Sequence, residues 1–338
     1  MIRIDPKWVE GLQSSRSREE LYLYLQKAIE LEHSTIPPYL TAYYSLKPGL
    51  NDGIGNLLRS IVIEEMLHMT IAANILVSIG GAPSINGPGF VPRYPGPLPM
   101  GIGGKDFVVP IAAFSLPLVK GTFMVIEEPE EPIPVGTLRA QPPHYRTIGE
   151  FYDALKEKLR GLDPSAFGHV DRQVVGAFSK DQNFPIKCAD TACQAIDIIV
   201  RQGEGSAVDP FEAPGEPAHY YRFGEICYGS KLIRGQDGGF LYGGAPIAFV
   251  SDGVFPMKEN PTADQFPRGT FGRLLSDNFT EGYRNLLNAL HLAFNGEPER
   301  ISAALGLMYQ LRLLAQRLMG TPLEADALPT AGPVYTAE

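Results

Sequence analysis

The chain has 338 residues, 44% of them hydrophobic and 20% charged, with a formal net charge of −9. That supports a core in one large domain or two ordinary ones, and the absence of a basic, aromatic-interleaved stripe excludes nucleic acid as an expected partner. No uninterrupted apolar run reaches the roughly 18 residues of a membrane helix, and Met1 to Trp8 lack a signal-peptide core. Three scattered cysteines, Cys188, Cys193 and Cys227, do not make a disulfide framework. A cytoplasmic protein with no membrane association is expected.

Residues 18 to 46 read as a helix, with Leu21, Leu25, Ala28, Ile29, Ile36, Leu40 and Tyr43 on its buried face. Ser17 followed by Glu19 and Glu20 marks its start, and Pro37-Pro38 predicts a kink or local break. Residues 53 to 79 form a second helix closed by Gly80-Gly81, and the short connection predicts a hairpin. Residues 82 to 180 are read as an irregular insertion, dense in proline and glycine to about 145. It has strand-like pieces at 107–109 and 122–126 and a short helix at 147–160. Helices follow at 186–204 and 216–228, the latter opening at Glu216-Pro217. A second irregular insertion spans 230–269, strand-like at 247–250. Two more helices are expected at 275–294 and 298–319, then an extended tail.

On the second helix, Glu65 and His68 fall three residues apart on a stripe otherwise made of Ile54, Leu58, Ile61, Ala72, Leu76 and Ile79. Burying such groups unpartnered costs several kcal/mol, and a metal ion is one partner that repays it. Glu32 lies on the inner stripe of the first helix. Glu204 ends the line Ile196, Val200, Glu204, where a carboxylate at a helix C-terminus wants a compensating cation. Glu216 and His219 supply a second Glu-x-x-His, with Glu225 as the alternative carboxylate. The candidate ligand set is therefore Glu32, Glu65, His68, Glu204, Glu216 and His219: four carboxylates and two imidazoles in the order of a di-iron bundle. Oxygen and nitrogen donors without thiolates suit two iron ions, an iron–manganese pair or manganese. Glu64 points about 100° away from Glu65 and reads as a supporting or surface charge. His33 is expected to face a neighbouring helix or solvent, His144 and His169 to lie in loops, and His291 to be a core histidine. Gly101 to Gly104 lacks the strand–helix context of a nucleotide fingerprint.

The segments Leu31-Glu32-His33-Ser34-Thr35-Ile36-Pro37-Pro38-Tyr39-Leu40, Glu64-Glu65-Met66-Leu67-His68-Met69 and Ala218-His219-Tyr220-Tyr221-Arg222-Phe223 resemble the ferritin-like superfamily. More closely, they are similar to the ferritin-like domain of iminophenyl-pyruvate dimer synthases of bisindole pathways. The likeness extends over Tyr94 to Pro99 and Thr147 to Tyr152. It implies a mainly α fold: a ferritin-like four-helix bundle with Pro/Gly-rich and short-strand insertions and extra C-terminal helices, all one domain over residues 1–338. It also implies a role for Tyr39, seven residues after Glu32, as a phenol that bonds a ligand or receives an electron.

The chemistry expected is that of a non-haem di-iron oxidase or oxygenase using O₂ on a small amino-acid-derived or aromatic substrate. The long insertions, rich in Tyr, Phe and Pro, suit a substrate wall. The alternative is an iron- or manganese-binding storage or detoxification protein. A homo-oligomer is compatible with either, and the sequence indicates no electron donor.

Overall fold

The structure is a computed structural model that describes residues 3–104, 106–129, 135, 146–203, 209–211, 215–236, 238–324 and 328–337. Its first elements are fixed by local capping. Asp5 accepts the Lys7 amide at 3.1 Å to open α1 (Pro6–Ser14), and Ser17 accepts the Glu20 amide at 3.3 Å to open α2 (Arg18–Tyr44). The chain returns through α3 (Asp52–Ser78). At 27 residues each, α2 and α3 run about 40 Å and pack along one another.

Pro37 and Pro38 neither break nor end α2, which continues through both. Pro38 cannot donate to the Ser34 carbonyl four residues back. The Tyr94 hydroxyl takes that place, donating to Ser34 O at 2.7 Å. The orphaned acceptor is satisfied from outside the helix, which removes one cost of the proline.

The stretch expected as a strand at 122–126 is helical. It belongs to α4 (Leu116–Ile126), opened by Ser115, whose hydroxyl accepts the Leu118 amide at 3.1 Å. The middle of α4, Val119–Phe123, is a widened π-type turn. Val119, Phe123 and Ile126 are buried at helical spacing, so burial at period 3.6 overrides the strand-like composition.

Next come α5 (Ile148–Arg160), α6 (Ala189–Gly203) and α7 (His219–Tyr228). Thr147 and Glu150 close a capping box on α5 at 3.0 and 3.1 Å. The pairing Arg3–Ile4 (β1) with Arg146–Thr147 (β2) ties the N-terminus to that cap. The helix expected from 216 starts three residues late. Phe211 bridges Pro217 and the Ala218 amide donates to Pro210 O at 2.9 Å, holding 216–218 extended.

A hairpin, β3 (Ser230–Arg234) with β4 (Phe240–Pro246), follows. Residues 247–250, expected as a strand, lie past its end. Asn51 holds them by accepting the Val250 amide at 2.7 Å and donating to Val250 O at 2.9 Å. The last helices, α8 (Phe271–Phe294) and α9 (Ile301–Met319), pack on each other and against α2 and α3. The tail lays Tyr335 edge-on against Phe279 and Tyr283 of α8.

The bundle is thus α2, α3, α6 and α7, with α4 and α5 against one side and α8–α9 against the other. α3 lies at its centre and is apolar nearly all round. It is long and apolar enough to cross a membrane by composition, and 78% of that stretch is buried inside the protein. Each fully buried Leu, Ile or Phe of this core contributes roughly 1.5–3 kcal/mol. Against that background, five ionisable groups at the centre of the bundle stand out.

Candidate metal centre

Glu32 on α2, Glu65 and His68 on α3, Glu127 just past α4 and His219 at the first turn of α7 converge in the bundle core. All five are between 0 and 6% exposed. They form two groups that share Glu65: Glu32, Glu65 and His68 in one, and Glu65, Glu127 and His219 in the other. In each group the donor atoms lie within 4.8 Å of one another. His68 Nδ1 is 3.4 Å from Glu32 and 4.0 Å from Glu65. His219 Nδ1 is 2.8 Å from Glu65 and 3.5 Å from Glu127. The two imidazoles stack with centroids 5.5 Å apart.

The outer nitrogen of each imidazole is held from behind. His68 Nε2 is 2.9 Å from the Gln202 side-chain oxygen on α6. His219 Nε2 is 2.9 Å from Glu64 Oε2. Glu64 is in turn gripped by the buried Arg222 guanidinium, which also donates to Ser60. Burial pushes the Glu64 carboxyl up, but the His219 hydrogen bond and the Arg222 charge overcome it and hold its pKa at about 2. Both rings therefore turn Nδ1 toward the carboxylates, the arrangement that fixes tautomer and orientation in metal sites.

The carboxylates are held as firmly. Tyr152 of α5 donates a short hydrogen bond to Glu32, Thr35 donates to Glu65 at 2.9 Å, and Tyr39 donates to Glu127 at 2.5 Å. Burial and the neighbouring Glu127 charge raise the Glu65 pKa. Burial and Glu127 likewise hold the Tyr39 phenol far above its ordinary range. For the imidazoles burial opposes protonation, yet the carboxylates win. Glu32 and Glu65 raise His68, and Glu127, Glu64 and Glu65 raise His219 further.

The donor set fits a metal on a point of geometry. His219 Nδ1 and Glu65 Oε1 are 2.8 Å apart, yet Nδ1 has no aligned hydrogen-bond partner. Two donors bound at ~2.1 Å and right angles to one ion sit about 3 Å apart and do not hydrogen-bond each other. At the cluster lies a cavity of about 50 Å³, lined by Glu32, Glu65, His68 and Glu127 and by apolar residues that include Ile102, Ile126, Ile148 and Ile199.

Five of the sequence-predicted residues, Glu32, Glu65, His68, His219 and Tyr39, come together here. Glu216 does not. It lies outside α7, with a side chain 70% exposed and its carboxylate 3.9 Å from Lys231. Glu225, the alternative, is buried but spent on the hairpin, accepting Lys231 Nζ and the Leu232 amide, both at 2.9 Å. The carboxylate in the expected place is Glu127, which sequence reasoning missed. Its signal was the spacing Val119, Phe123, Glu127 after a Ser115 cap. Glu204 lies outside the described residues. The preceding Gly203 brings the end of α6 to the site, since a side chain there would begin 3.9 Å from Glu127 Oε2. His33 faces α8, its Nε2 2.7 Å from the Tyr283 hydroxyl. His291 is half-buried beside Asn295, and His144 lies outside the described residues. Cys188, Cys193 and Cys227 are free thiols.

A mainly helical bundle with carboxylates and imidazoles at its centre defines a class, and comparison with known sequences agrees. The chain belongs to the ferritin-like family, whose model matches residues 25–228. Among relatives, it is 24% identical over 318 aligned residues to the dichlorochromopyrrolate synthase of Lentzea aerocolonigenes. The alignment covers 84% of this chain and 30% of that one, so the chain spans about 30% of the synthase's length. A crystallised ferritin-like protein from Caulobacter vibrioides shares the fold, with a TM-score of 0.59 and 23% identity. That match covers 94% of this chain and 97% of the other.

Proposed function

We propose that this protein is a non-haem di-iron oxidase or oxygenase that uses O₂ on a small aromatic or amino-acid-derived substrate. The observation carrying the reading is the pair of donor groups sharing Glu65, each with one imidazole whose far nitrogen is already fixed. Glu32 and His68 would hold one ion, Glu127 and His219 the other, and Glu65 both. Iron held there would supply the electrons for O₂ reduction.

The chain's own residues do the rest. Arg222 and Glu64 keep His219 oriented, and Gln202 does the same for His68. Tyr152, Thr35 and Tyr39 fix the three carboxylates before any ligand arrives, so little reorganisation is left to be done. The Tyr39 hydroxyl also keeps a proton at Glu127 Oε1, within reach of the reacting centre. The small cavity lined by the cluster and by Ile102, Ile126, Ile148 and Ile199 is the size of a diatomic gas or a water molecule or two. The kinship with dichlorochromopyrrolate synthase supports small-molecule chemistry over storage.

Anaerobic Fe(II) titration followed by Mössbauer spectroscopy tests the metal assignment, with two coupled irons per chain as the expected result. Oxygen consumption by the loaded protein, with and without aromatic amino-acid derivatives, tests the activity. Iron uptake into a large hollow assembly with no organic turnover is the result that would favour storage.

A further inference from the structure

A second, larger cavity of about 400 Å³ lies elsewhere against α3, within the size range of small-molecule sites. α3 lines both. Glu65 and His68 face the cluster, while Arg59, Val62, Ile63 and Met66 line the second cavity. Met66 is one residue on from Glu65 and so about 100° around the helix. The remaining walls include Tyr43 and Tyr44 of α2, Met308, Tyr309 and Arg312 of α9, and Phe178 from the loop before α6.

Three observations mark this cavity as built for a ligand. First, Arg59 and Arg312 both line it, and neither makes an ion pair or hydrogen bond among the described residues. Arg312 lies over the Tyr43 ring, 4.9 Å from its centroid. Arg59 is exposed and Arg312 half-buried, so two guanidiniums at one aromatic cavity, with no carboxylate in its lining, are open to an external anion.

Second, Phe178 has a backbone φ of +65°, a strained conformation for a bulky side chain. Its loop is held there by hydrogen bonds. The Gly176 amide donates to Asn183 O at 2.8 Å, and Asn183 Nδ2 donates to Ala177 O at 3.0 Å. Asn74 of α3 anchors the same loop through Val174 O at 2.7 Å.

Third, Leu40, Met66, Phe178 and Met308 also line a smaller inner cavity of about 30 Å³ that includes His33. His33 is 3% exposed and its Nδ1 has no hydrogen-bond partner. The two cavities share aromatic and apolar walls, with a buried imidazole lining the smaller and two guanidiniums lining the larger.

We propose that this cavity is a binding site for a planar aromatic carboxylate, with the ring between Tyr43, Phe178 and Met308 and the carboxylate on the guanidiniums of Arg59 and Arg312. The inference does not rest on the metal assignment. Fluorescence titration with 2-naphthoate, and with 2-naphthamide as its neutral counterpart, tests it in metal-free and Fe(II)-loaded protein. The naphthoate should saturate and bind at least about tenfold tighter than the amide, equally with and without iron. Arg312→Gln should weaken naphthoate binding by about tenfold and Arg59→Gln with Arg312→Gln by more. Both variants should keep the amide affinity and the wild-type circular dichroism, which separates lost recognition from lost folding. Equal affinity for acid and amide, wild-type naphthoate binding in the double variant, or no saturation at millimolar probe would overturn the proposal. So would binding that appears only with iron, because it would put the probe on the cluster.

Discussion

Tyr39 and Glu127 are 88 residues apart in sequence and joined by a 2.5 Å hydrogen bond. That bond fastens the loop after α4 to α2 and places a carboxylate opposite Glu65 and His219. The five candidate donors are therefore carried by four elements, one of which comes from the region read as an insertion.

Glu127 should consequently behave as a ligand where Glu216 does not. Glu127→Ala is expected to halve the iron bound per chain, because one donor group loses its terminal carboxylate. Glu216→Ala should leave stoichiometry unchanged, since that side chain is 70% exposed beside Lys231, and should shift stability by no more than about 0.5 kcal/mol. Iron analysis after anaerobic loading decides between them, and reversed results would return the fourth-helix role to Glu216.

Metal uptake should strengthen as pH rises. In the metal-free protein the pKa values of Glu65, His68 and His219 are all raised, the histidines above 6.5. Near neutrality the cluster therefore holds protons that a cation must displace, and raising the pH removes that competition. Calorimetric titration with Mn(II), which avoids oxidation, should give tighter binding from pH 6.5 upward. Runs in buffers of differing ionisation enthalpy should reveal proton release. A pH-independent affinity would mean the imidazoles are already neutral.

The helices were legible because their apolar residues recur at 3.6, and so was the pairing of Glu65 with His68. Glu127 was not, because Thr122 to Ile126 is, apart from Met124, made of β-branched and aromatic residues whose strand preference is overridden by packing against α7. Glu216 misled because proline two residues into a presumed helix start is favourable in general, whereas here Pro217 is held in a bridge with Phe211. Gln202 and Tyr152 could not be assigned from the sequence, and Glu64 was left between a supporting and a surface charge. Their roles exist only across helix contacts, and no local periodicity reports those.

The residues behind the imidazoles should matter without touching metal. Glu64→Gln keeps the shape but removes the charge facing His219 and leaves the 2%-exposed Arg222 without its counter-ion. A destabilisation of about 3–5 kcal/mol is expected for breaking such a pair. Gln202→Leu is the cleaner probe, since it deletes the acceptor at His68 Nε2 and, beyond that, a 3.3 Å hydrogen bond to Gln182 Oε1. It should weaken iron binding by about 10- to 100-fold while the stability of the metal-free protein changes little. Wild-type affinity in Gln202→Leu would show that His68 needs no outer partner.

His33 should make the fold acid-sensitive. Burial pulls its pKa down from 6.5 to about 3, and its Nε2 meets the Tyr283 hydroxyl at 2.7 Å. Between those two values the unfolded chain binds a proton that the folded chain refuses. Stability from this group is therefore complete above pH 6.5 and is lost as pH falls toward 3, at up to about 1.4 kcal/mol per pH unit. His33→Gln retains a hydrogen-bonding partner for Tyr283 and cannot titrate. Urea unfolding at several values between pH 6.5 and 4.5 should give a steeper loss for the wild type than for the variant. Parallel slopes would show that the imidazole accepts its proton inside the fold, with Tyr283 as the stabilising acceptor.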